Sequence, residues 1–469
     1  MHVHVHGQEA GESIARTSQR LRTARLTSEE LTRTALDRID RHDRALNAVV
    51  TAVPEQALDA ARRIDRDIQA GRDRGVLQGI PVGLKDVIDV RDVTTAMGSA
   101  FYQNRVPRQD ATLVRRLRRA GAVIVGKLHT QEFAYGATGS DAYTGPGRNP
   151  HAQDRVTGGS SSGPAAAVAA GFCLAAVGTD TGGSVRIPAA LCGVVGLKPT
   201  AGRISRTGVF PLSWTLDQVG PITRSVADNA ALLGVLCGFD PQDGGSVRRA
   251  AEDFGRHIPA GVEGLRIGLP RPYFDHLDPD VRRCIEAALN SLQDLGAAVQ
   301  LVDMPELERI VSIHRTVLSV EAHAVHRQRL DERPELFQEP VRQRLYAAAA
   351  LPAWSYAEAY RRRRLARTAF DNALTGVDVL AAPTVPVPAP LIGQVDVTTT
   401  GLAETVQSAL TRLTGATNLS GHPSLSVPCG RTRTGLPVGM QLIGRFWDEA
   451  MLYRVGQAVE NGAVASPAP

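Results

Sequence analysis

The N-terminal part of the chain carries the hydrophobic spacing of two amphipathic helices. Thr27 and Glu30 form a capping-box signature, which is typical of a helix start, and apolar residues then recur every three or four positions. This pattern predicts one helix from about Thr27 to Leu46 and a second from Pro54 to about Ile68.

Beyond residue 78 the spacing changes, and short apolar runs alternate with longer stretches of helical period. The runs have the length of strands and lie at residues 79–84, 122–126, 174–178, 193–197, 265–269, 298–302, 377–382, 424–428 and 439–443. The helical stretches lie near 110–120, 163–171, 225–237, 279–294, 305–331, 354–374 and 446–460. Strands interleaved with helices predict an α/β fold built around one mixed sheet.

The same pattern predicts a single large domain. No internal repeat is visible, and valines alternate with the prolines of segment 382–390, which favours a loop over the sheet edge rather than a linker. We expect a domain at residues 27–463, preceded by a partly flexible N-terminal extension at 1–26 and followed by a flexible tail at 464–469. The largely helical region at about 305–375 is expected to be an insertion that covers the substrate.

The composition is that of a globular protein of the size of an enzyme. Of 469 residues, 43% are apolar and 22% are charged, which is enough apolar material for a large core. The five cysteines are odd in number and widely spaced, so we expect reduced thiols and a cytoplasmic location. No apolar stretch has the length and continuity of a leader or of a membrane span, and we therefore expect no membrane partner.

The net charge of +5 does not by itself indicate a nucleic-acid partner. Arginines cluster at helical spacing near 116–119 and 361–364, but aromatic residues make up only 4% of the chain and none interleaves these clusters. We interpret both clusters as solvated helix faces and expect no nucleic-acid partner. His2, His4 and His6 alternate at the N-terminus, where a frayed end explains them better than a metal site. We expect neither a metal nor a cofactor.

Lysine is scarce in this chain, which makes each lysine informative. Of the 53 basic residues Lys and Arg, only Lys85, Lys127 and Lys198 are lysine. An ammonium group can lose its proton when it is buried and then act as a base, whereas a guanidinium keeps its charge in proteins. Lys127 ends a predicted strand and Lys198 precedes Pro199, so we expect these two to anchor loops by hydrogen bonds. Lys85 lies in Gly79-Ile-Pro-Val-Gly-Leu-Lys-Asp86, upstream of a stretch rich in serine and glycine, and we expect these two stretches to form one site.

Two segments combine glycines with serines. One reads Gly-Gly-Ser-Ser-Ser-Gly at 158–163, and the other reads Gly-Thr-Asp-Thr-Gly-Gly-Ser at 178–184. Glycines let backbone N–H groups converge without Cβ clashes, and converging N–H groups are what an oxyanion hole for acyl transfer needs. For either segment alone, a Gly/Ser turn between a strand and a helix is the alternative interpretation.

Other catalytic and binding motifs are weighed by their context. Residues 159–163 match the nucleophile elbow of α/β-hydrolases, but residues 149–157 are polar, so no predicted strand leads into it. Residues 121–127 mimic a phosphate-binding loop, yet their interior is itself a predicted strand, and Leu128 stands where a Ser or Thr would bind magnesium. Three histidines near turn segments leave a Ser-His-Asp arrangement open: His129, His151 and His422.

Several motifs together resemble the amidase signature family. They are the two Gly/Ser segments, Gly79-Ile-Pro-Val-Gly-Leu-Lys-Asp86, Cys192-Gly-Val-Val-Gly-Leu-Lys-Pro-Thr200, Asn418-Leu-Ser-Gly-His-Pro-Ser-Leu-Ser-Val-Pro-Cys429 and Gly439-Met-Gln-Leu-Ile-Gly444. Matching features run from about Ser28 to Glu460. The family includes fatty acid amide hydrolase, malonamidase and the A subunit of tRNA-dependent glutamine amidotransferases. The resemblance implies the amidase signature fold, in which helices cover both faces of a central mixed sheet.

The resemblance also implies a triad of Ser, cis-Ser and Lys, which falls on Ser184, Ser160 and Lys85. The two serines are 24 residues apart, as the family pattern leads us to expect. In this scheme neutral Lys85 takes a proton from Ser160, Ser160 takes one from Ser184, and Ser184 attacks the substrate carbonyl. The peptide bond between Gly159 and Ser160 is expected to be cis. The implied oxyanion hole consists of the backbone N–H groups of Thr181, Gly182, Gly183 and Ser184.

The chain departs from the family pattern at Ser162 and Pro164, where Gly and Ser are common. Proline in the first turn of a helix loses no needed donor, so we expect Pro164 only to stiffen the helix start. Ser162 puts a side chain where the backbone usually runs bare, which leaves the conformation of this loop open.

Asp180 and Arg186 flank the proposed nucleophile. We expect them to pair with each other or to contact substrate, which makes Arg186 a candidate for the substrate pocket. The aromatic pocket candidates, each with core packing as the alternative, are Phe133, Tyr135, Trp214 and Trp354.

The resemblance implies a stand-alone amidohydrolase that cleaves the C–N bond of a small or medium linear amide. Anilides, carbamates (urethanes) and esters suit the same acyl-transfer chemistry. The expected partners are this substrate, water and, as a family property, a second copy of the chain.

The alternative is a glutaminase-type A subunit of a tRNA-dependent amidotransferase. In those subunits the family pattern places an Asp seven residues before the Asn-Leu-x-Gly segment, where this chain has Thr411. A binding or scaffold protein is the third hypothesis, and it would require the complete triad and glycine set to be accidental.

Overall fold

The computed structural model describes residues 12–465, so His2, His4, His6 and the last four residues lie outside the described residues. The strands in this range are β1 (Val49–Ala52), β2 (Pro81–Lys85), β3 (Val123–Leu128), β4 (Arg148–Asn149), β5 (Ala152–Val156), β6 (Ala175–Asp180), β7 (Val195–Lys198), β8 (Gln218–Thr223), β9 (Arg266–Pro270), β10 (Ala298–Val302), β11 (Val379–Pro383), β12 (Asp396–Thr399), β13 (Leu402–Thr405), β14 (Ser424–Arg431) and β15 (Pro437–Ile443).

The helices in the same range are α1 (Ile14–Arg22), α2 (Ser28–Leu46), α3 (Pro54–Gln69), α4 (Thr112–Arg119), α5 (Ser162–Ala169), α6 (Arg186–Cys192), α7 (Val226–Leu236), α8 (Pro279–Asp294), α9 (Leu307–Glu332), α10 (Glu339–Ala349), α11 (Ala353–Ala373), α12 (Val406–Arg412), α13 (Gly415–Ser420) and α14 (Glu449–Ala465).

Eleven of these strands form one mixed sheet in the order β1-β3-β2-β6-β8-β7-β14-β15-β11-β9-β10. β3, β2 and β6 are parallel neighbours, as are β11, β9 and β10, whereas the strands between β6 and β11 pair antiparallel. Because β2 and β6 are parallel and adjacent, their carboxyl ends meet at the same edge of the sheet. That edge receives Lys85, the last residue of β2, and the loop that follows β6.

Helices cover both faces of the sheet, as predicted. In β3, Val123 and Val125 point into an apolar cluster with residues of α2, α3 and α5, while Ile124 between them belongs to a second cluster with α4, α7, α8 and α14. Successive strand side chains point to opposite faces, so β3 is buried on both sides. Such burial explains why its sequence is a continuous apolar run rather than an alternating one.

The predicted elements agree well with the observed ones. All nine apolar runs overlap strands of the main sheet, and the capping box at Thr27 is formed, with Glu30 N–H donating to the Thr27 hydroxyl. Sequence reasoning missed two strands of the main sheet, β1 and β8, because β1 has only four residues and the segment of β8 contains Gly220 and Pro221. It also missed β4, β5, β12 and β13, which form two separate two-stranded sheets. It also missed five helices: α1, α6, α10, α12 and α13.

Three further segments bear on the expected organisation of the chain. Helix α1 lies within the expected N-terminal extension, where Ile14 is fully buried and its N–H donates to Asp228. The proline-rich segment at 384–390 is an irregular loop whose Val385 and Val387 are buried. The region at 305–375 contains the helices α9, α10 and α11. Helix α9 packs on both α10 and α11, and α9 and α11 also pack on α13.

Two findings concern the environment of the chain. All five cysteines are free thiols in the structure. Within residues 12–465, none of the helices combines the length and the apolar character needed to cross a bilayer.

Candidate active site

Lys85 stands at the carboxyl end of β2 with its amino group in a closed polar niche. Its Nζ atom lies 2.8 Å from Ser160 Oγ and 2.8 Å from Thr179 Oγ1, and the residue is completely buried. Burial lowers the pKa of Lys85 from 10.5 to about 7, although the charges of Asp180 and Asp217 oppose this change. A large fraction of Lys85 is therefore neutral at physiological pH.

Ser160 reaches this niche from the segment that precedes α5. The Gly159–Ser160 peptide bond is cis, as the family resemblance led us to expect. The Gly159 N–H donates to the carbonyl of Ala137, and a Cβ on Gly159 would lie 2.6 Å from the backbone nitrogen of Gly139. Glycine is therefore required at 159, because the backbone of Gly139 leaves no space for a Cβ atom.

Ser184 lies in the loop between β6 and α6 and is 8% exposed. Its carbonyl accepts a hydrogen bond from Ser161 N–H, which ties the two Gly/Ser segments together. Among residues 12–465, no hydrogen-bond partner is recorded for the Ser184 hydroxyl. The hydroxyl groups of Ser160 and Ser184, between which the expected relay passes a proton, are therefore not joined by a direct hydrogen bond in the structure.

The loop before Ser184 presents several backbone donors. Gly183 N–H donates to Asp180 Oδ1 at 2.8 Å, so this donor of the expected oxyanion hole is engaged within the loop. For the N–H groups of Thr181, Gly182 and Ser184, the described part of the chain supplies no acceptor. These three groups remain available to an oxyanion.

Asp180 and Arg186 form a buried ion pair beneath this loop. Both side chains have no exposed surface, and the guanidinium binds both carboxylate oxygens of Asp180, at 2.9 and 3.0 Å. Burial alone would raise the pKa of Asp180, but the Arg186 guanidinium outweighs it and holds the pKa well below its usual range.

The remaining donors of Arg186 are also occupied. They reach the side-chain oxygens of Thr417, Asn418 and Gln441. Arg186 therefore cannot line a substrate pocket as expected, because its guanidinium is enclosed and bonded to protein groups. The alternative interpretation, pairing with Asp180, agrees with the structure.

The four aromatic candidates occupy different environments. Phe133 is fully buried among the rings of Phe101, Phe210, Phe337 and His326. This arrangement is core packing. Phe133 also adopts a φ of 51°, in the left-handed region that non-glycine residues seldom occupy.

The other three differ in exposure and contacts. Tyr135 is 6% exposed, and the guanidinium of Arg344 lies over its ring. Trp354 is 71% exposed at the start of α11, so it is a surface residue rather than part of an enclosed pocket. Trp214 is 46% exposed and lines a cavity.

This cavity has a volume of about 460 Å³ and lies between the 199–219 region and α11. Its lining includes Trp214, Asp217, Tyr360 and Arg363. Asp217 connects the cavity to the loop before Ser184, because its carboxylate accepts the Thr181 hydroxyl at 2.6 Å. Of the four aromatic candidates, Trp214 therefore lines a cavity that is connected to the candidate site through Asp217.

The other two lysines bind neighbouring groups, as expected of loop anchors. Lys127 donates to Asp86 at 3.0 Å and to the Thr95 hydroxyl at 2.6 Å. Lys198 donates to the Pro199 carbonyl and to Gln218, both at 3.0 Å. Neither is recorded in contact with a serine of the candidate site.

The hydrogen bonds of the three candidate histidines lead to groups other than Ser184. His129 bonds Ser162 and the Gly145 carbonyl, His151 bonds the Cys192 carbonyl, and His422 bonds Ser420 and Asp371. Ser161, the nucleophile-elbow position, exchanges hydrogen bonds with the backbone of Thr179. A Ser-His-Asp arrangement is therefore not supported by these contacts.

The unusual Ser162 is held by His129. The Ser162 hydroxyl lies 2.6 Å from His129 Nδ1 and also donates to the His129 carbonyl at 3.2 Å. Helix α5 begins at Ser162, which places Pro164 in the first turn, where proline costs no hydrogen bond. The loop thus accommodates both departures from the family pattern.

Sequence reasoning missed four residues that bind the candidate catalytic groups. Thr179 bonds Lys85, Asp217 bonds the Thr181 side chain, and His314 and Thr414 bond the carbonyls of Thr181 and Gly182. Thr179 lies in the quoted Gly-Thr-Asp motif, so it carried a local signal. The other three act from distant parts of the chain, and nothing in their local sequence indicates the contact. No group of residues suited to hold a metal ion occurs among residues 12–465.

Comparisons with known proteins agree with this geometry. A family model described as Amidase matches residues 30–453. The chain is 39% identical to the A subunit of the glutamyl-tRNA(Gln) amidotransferase of Geobacter sp. (strain M21), with 96% of each chain covered. It is 41% identical to an amidase of Pseudomonas putida, with 96% of this chain and 95% of the relative covered.

A solved structure is similar over the same extent. The native peptide amidase of Stenotrophomonas maltophilia is 35% identical, with a TM-score of 0.85 and coverage of 98% of this chain and 99% of that one. A family match over most of the chain, relatives that align nearly from end to end and a shared fold lead to one conclusion. This chain belongs to the amidase signature family and is a hydrolase of that family.

Proposed function

We propose that this protein hydrolyses the C–N bond of a small or medium linear amide through an acyl-enzyme on Ser184, with Ser160 and neutral Lys85 as the proton relay. Anilides, carbamates and esters are further substrates suited to the same site. The observation that carries the proposal is the 2.8 Å approach of the Lys85 amino group to Ser160 Oγ in a fully buried niche, where the pKa of Lys85 is about 7.

The first half of the reaction forms the acyl-enzyme. Lys85 accepts the Ser160 proton, Ser160 accepts the Ser184 proton, and the Ser184 oxygen bonds to the carbonyl carbon. The tetrahedral intermediate carries a negative charge on the former carbonyl oxygen. When it collapses, the C–N bond breaks and the relay returns a proton to the departing amine, which leaves Lys85 neutral again.

The second half hydrolyses the acyl-enzyme. A water molecule gives its proton to Ser160 and Lys85 along the same route, and its oxygen bonds to the acyl carbon. Collapse of this second intermediate breaks the ester bond to Ser184, which regains its proton. The carboxylic acid is released, and no group of the enzyme is consumed.

The free backbone donors of Thr181, Gly182 and Ser184 suit the negative charge that develops in both halves. Donors that are already oriented in a site shielded from water stabilise such a charge without reorganising during the reaction. The helical region at 305–375, whose α9 contacts this loop through His314, would then cover the substrate on one side.

A substrate panel and an active-site probe test the proposal together. Aliphatic amides, anilides, carbamates and esters would be assayed with the wild-type protein and with Ser184→Ala, and both would be treated with a fluorophosphonate probe. We expect turnover of at least one class, labelling at Ser184 in the wild type, and loss of both in Ser184→Ala. Unchanged turnover in Ser184→Ala, or no labelling of the wild type, would contradict the acyl-enzyme.

A second candidate function is the glutaminase-type A subunit of a tRNA-dependent amidotransferase. The similarity to the Geobacter relative, at 39% identity over 96% of the chain, favours it. Against it, the position where the family pattern places an Asp is Thr411, whose hydroxyl donates to the carbonyls of Gln407 and Ser408 in its own helix. A neutral hydroxyl bonded to its helix cannot replace a carboxylate that balances an ammonium charge.

Glutamine hydrolysis and partner binding distinguish the two candidates. The stand-alone amidase is expected to purify without partner chains and to show no glutaminase activity. Glutaminase activity that appears only when tRNA-amidotransferase partner subunits are added would favour the second candidate instead.

A further inference from the structure

Helix α9 brings one side chain to the loop that precedes Ser184. His314 Nε2 lies 2.9 Å from the carbonyl oxygen of Thr181, and His314 is 2% exposed. A carbonyl oxygen only accepts hydrogen bonds, so Nε2 carries a hydrogen and donates it. Burial lowers the pKa of His314 to about 4, so the ring is neutral near pH 7 and this hydrogen bond selects its tautomer.

Two glycines leave room for the imidazole. A Cβ on Gly415 would lie 2.7 Å from His314 Nδ1, and a Cβ on Gly182 would lie 3.0 Å from His314 Cε1. Neither glycine is in the left-handed region, so the need for glycine here comes from the ring and not from the backbone conformation. The imidazole is thus held between Gly182, in the loop that precedes Ser184, and Gly415, the first residue of α13.

The hydrogen bond from His314 orients one particular peptide unit. In a trans peptide the C=O and N–H groups point in opposite directions, so a Thr181 carbonyl fixed on His314 turns the Gly182 N–H away from His314. Within residues 12–465, no protein group accepts a hydrogen bond from the Gly182 N–H. The next peptide unit differs, because its carbonyl accepts from Thr414 at 2.6 Å and its N–H donates to Asp180 at 2.8 Å.

Helix α9 itself is anchored to the same region two turns later. The Glu321 carboxylate accepts hydrogen bonds from the Ser213 hydroxyl at 2.5 Å and from the Thr215 hydroxyl at 2.8 Å. Two residues after Thr215, the carboxylate of Asp217 accepts a hydrogen bond from the Thr181 hydroxyl. His314 is therefore presented by a helix whose position relative to Thr181 is fixed from two sides.

We propose that His314 is a positioning residue of the oxyanion hole, whose Nε2–H holds the Thr181 carbonyl so that the Gly182 N–H stays directed at the substrate oxygen. This inference rests on the proposed acyl-enzyme at Ser184. His314 does not touch the reacting atoms in this scheme. Its effect falls on the transition state, where the negative charge develops, and not on binding of the neutral substrate.

Two substitutions at His314 separate the hydrogen bond from the volume of the ring. His314→Phe keeps a ring but removes the donor, whereas His314→Gln keeps an N–H donor of similar reach. The fluorophosphonate probe is suitable because its phosphoryl oxygen would occupy the oxyanion hole. For His314→Phe we expect a 10- to 100-fold lower maximal labelling rate, with probe affinity within about twofold of wild type, since losing a full oxyanion donor costs roughly 100- to 1,000-fold.

The rescue and the control complete the test. His314→Gln should recover most of the labelling rate, and the same pattern should appear as a fall in kcat with little change in KM for the best amide of the panel. His323→Phe is the matched control, because His323 also lies on α9 and binds a carbonyl, that of Leu345, away from Ser184. It should leave the labelling rate unchanged.

Gly415→Ala gives an independent test if His314→Phe does not fold. The added methyl group would displace the imidazole without removing any functional group, so the labelling rate should again fall. A normal rate in both His314→Phe and Gly415→Ala, or a rise in KM with unchanged kcat, would overturn the positioning role. If the wild type is labelled and Ser184→Ala is not, such a result would leave the proposed acyl-enzyme intact.

Discussion

The side-chain nitrogen of Lys85 lies 2.8 Å from the hydroxyl oxygen of Ser160, and both residues are completely buried. The distance permits direct proton transfer, and the burial makes the neutral amine accessible near pH 7 because it lowers the pKa of Lys85 to about 7. Arginine, the basic residue that this chain uses almost everywhere else, could reproduce neither property.

Lys85→Arg should therefore be nearly as damaging as Lys85→Ala. Loss of a general base typically costs about 100- to 10,000-fold in rate, and a guanidinium does not deprotonate in the accessible pH range. The measurement is kcat/KM at pH 7.5 for the best amide of the panel, with thermal unfolding to verify that each variant is folded. Ethylamine added to Lys85→Ala should restore part of the activity but should not help Lys85→Arg. Substantial activity of Lys85→Arg near neutral pH would show that another group is the base.

The activity should depend on pH through the protonation of Lys85. Protonated Lys85 cannot accept a proton, so kcat/KM is expected to fall tenfold per pH unit below about pH 7 and to level off above it. His314 and His422 titrate near pH 4 and do not contribute to this limb. An acid limb centred near pH 4 or 5, with full activity at pH 6, would contradict the proposed base.

The protonation of Lys85 should also make the free energy of unfolding depend on pH. The unfolded chain holds the Lys85 proton up to about pH 10.5, whereas the folded protein releases it near pH 7, so the unfolded state binds more protons between these values. Wild-type stability relative to Lys85→Met should therefore rise with pH, by about 2 kcal/mol between pH 7 and pH 9. Urea unfolding of both proteins at the two pH values measures this difference. A difference that is independent of pH would mean that Lys85 is not buried as a neutral amine.

The ion pair of Asp180 and Arg186, which lies beneath the loop that precedes Ser184, should contribute strongly to the stability of the protein. Arg186→Met would leave the enclosed Asp180 carboxylate without its counter-ion, and removal of one partner of a buried pair typically costs about 3 to 5 kcal/mol. The free energy of unfolding from urea denaturation tests this expectation. Arg309→Met, which removes an arginine from an exposed pair with Glu306, is the control and should change stability little. Equal stability of the two variants would count against the role assigned to Arg186.

Local sequence patterns predicted most strands of the main sheet and most of the longer helices, and they drew attention to the residues of the candidate site. Most of the nine apolar runs are buried on both faces of the sheet, and such burial leaves a continuous apolar signal in the sequence. The run at 298–302 differs, because it forms the edge strand β10 and is exposed or half-buried. The lysine and the two serine segments were recognisable because an acyl-transfer site of the proposed kind requires particular residue types beside glycines.

The residues of the substrate pocket were difficult to assign from the sequence. Phe133 and Trp214 are both aromatic residues next to candidate motifs, yet the first is enclosed by other rings and the second lines an open cavity. Arg186 was assigned to the pocket because it lies two residues after Ser184, but its donors bind Asp180, Thr417, Asn418 and Gln441. Proximity along the chain does not give the direction of a side chain.

By itself, the sequence determined which residue types are present for the proposed chemistry: a lysine in a chain otherwise rich in arginine, two serines and a glycine-rich loop. Only the tertiary structure decided the pKa values and the orientations of these groups, because desolvation and hydrogen bonding depend on residues far away in sequence. Lys85 meets Thr179 from 94 residues away, and the Thr181 carbonyl meets His314 from 133 residues away. The pKa of Lys85 and the direction of the Gly182 N–H follow from such contacts, and no local pattern encodes them.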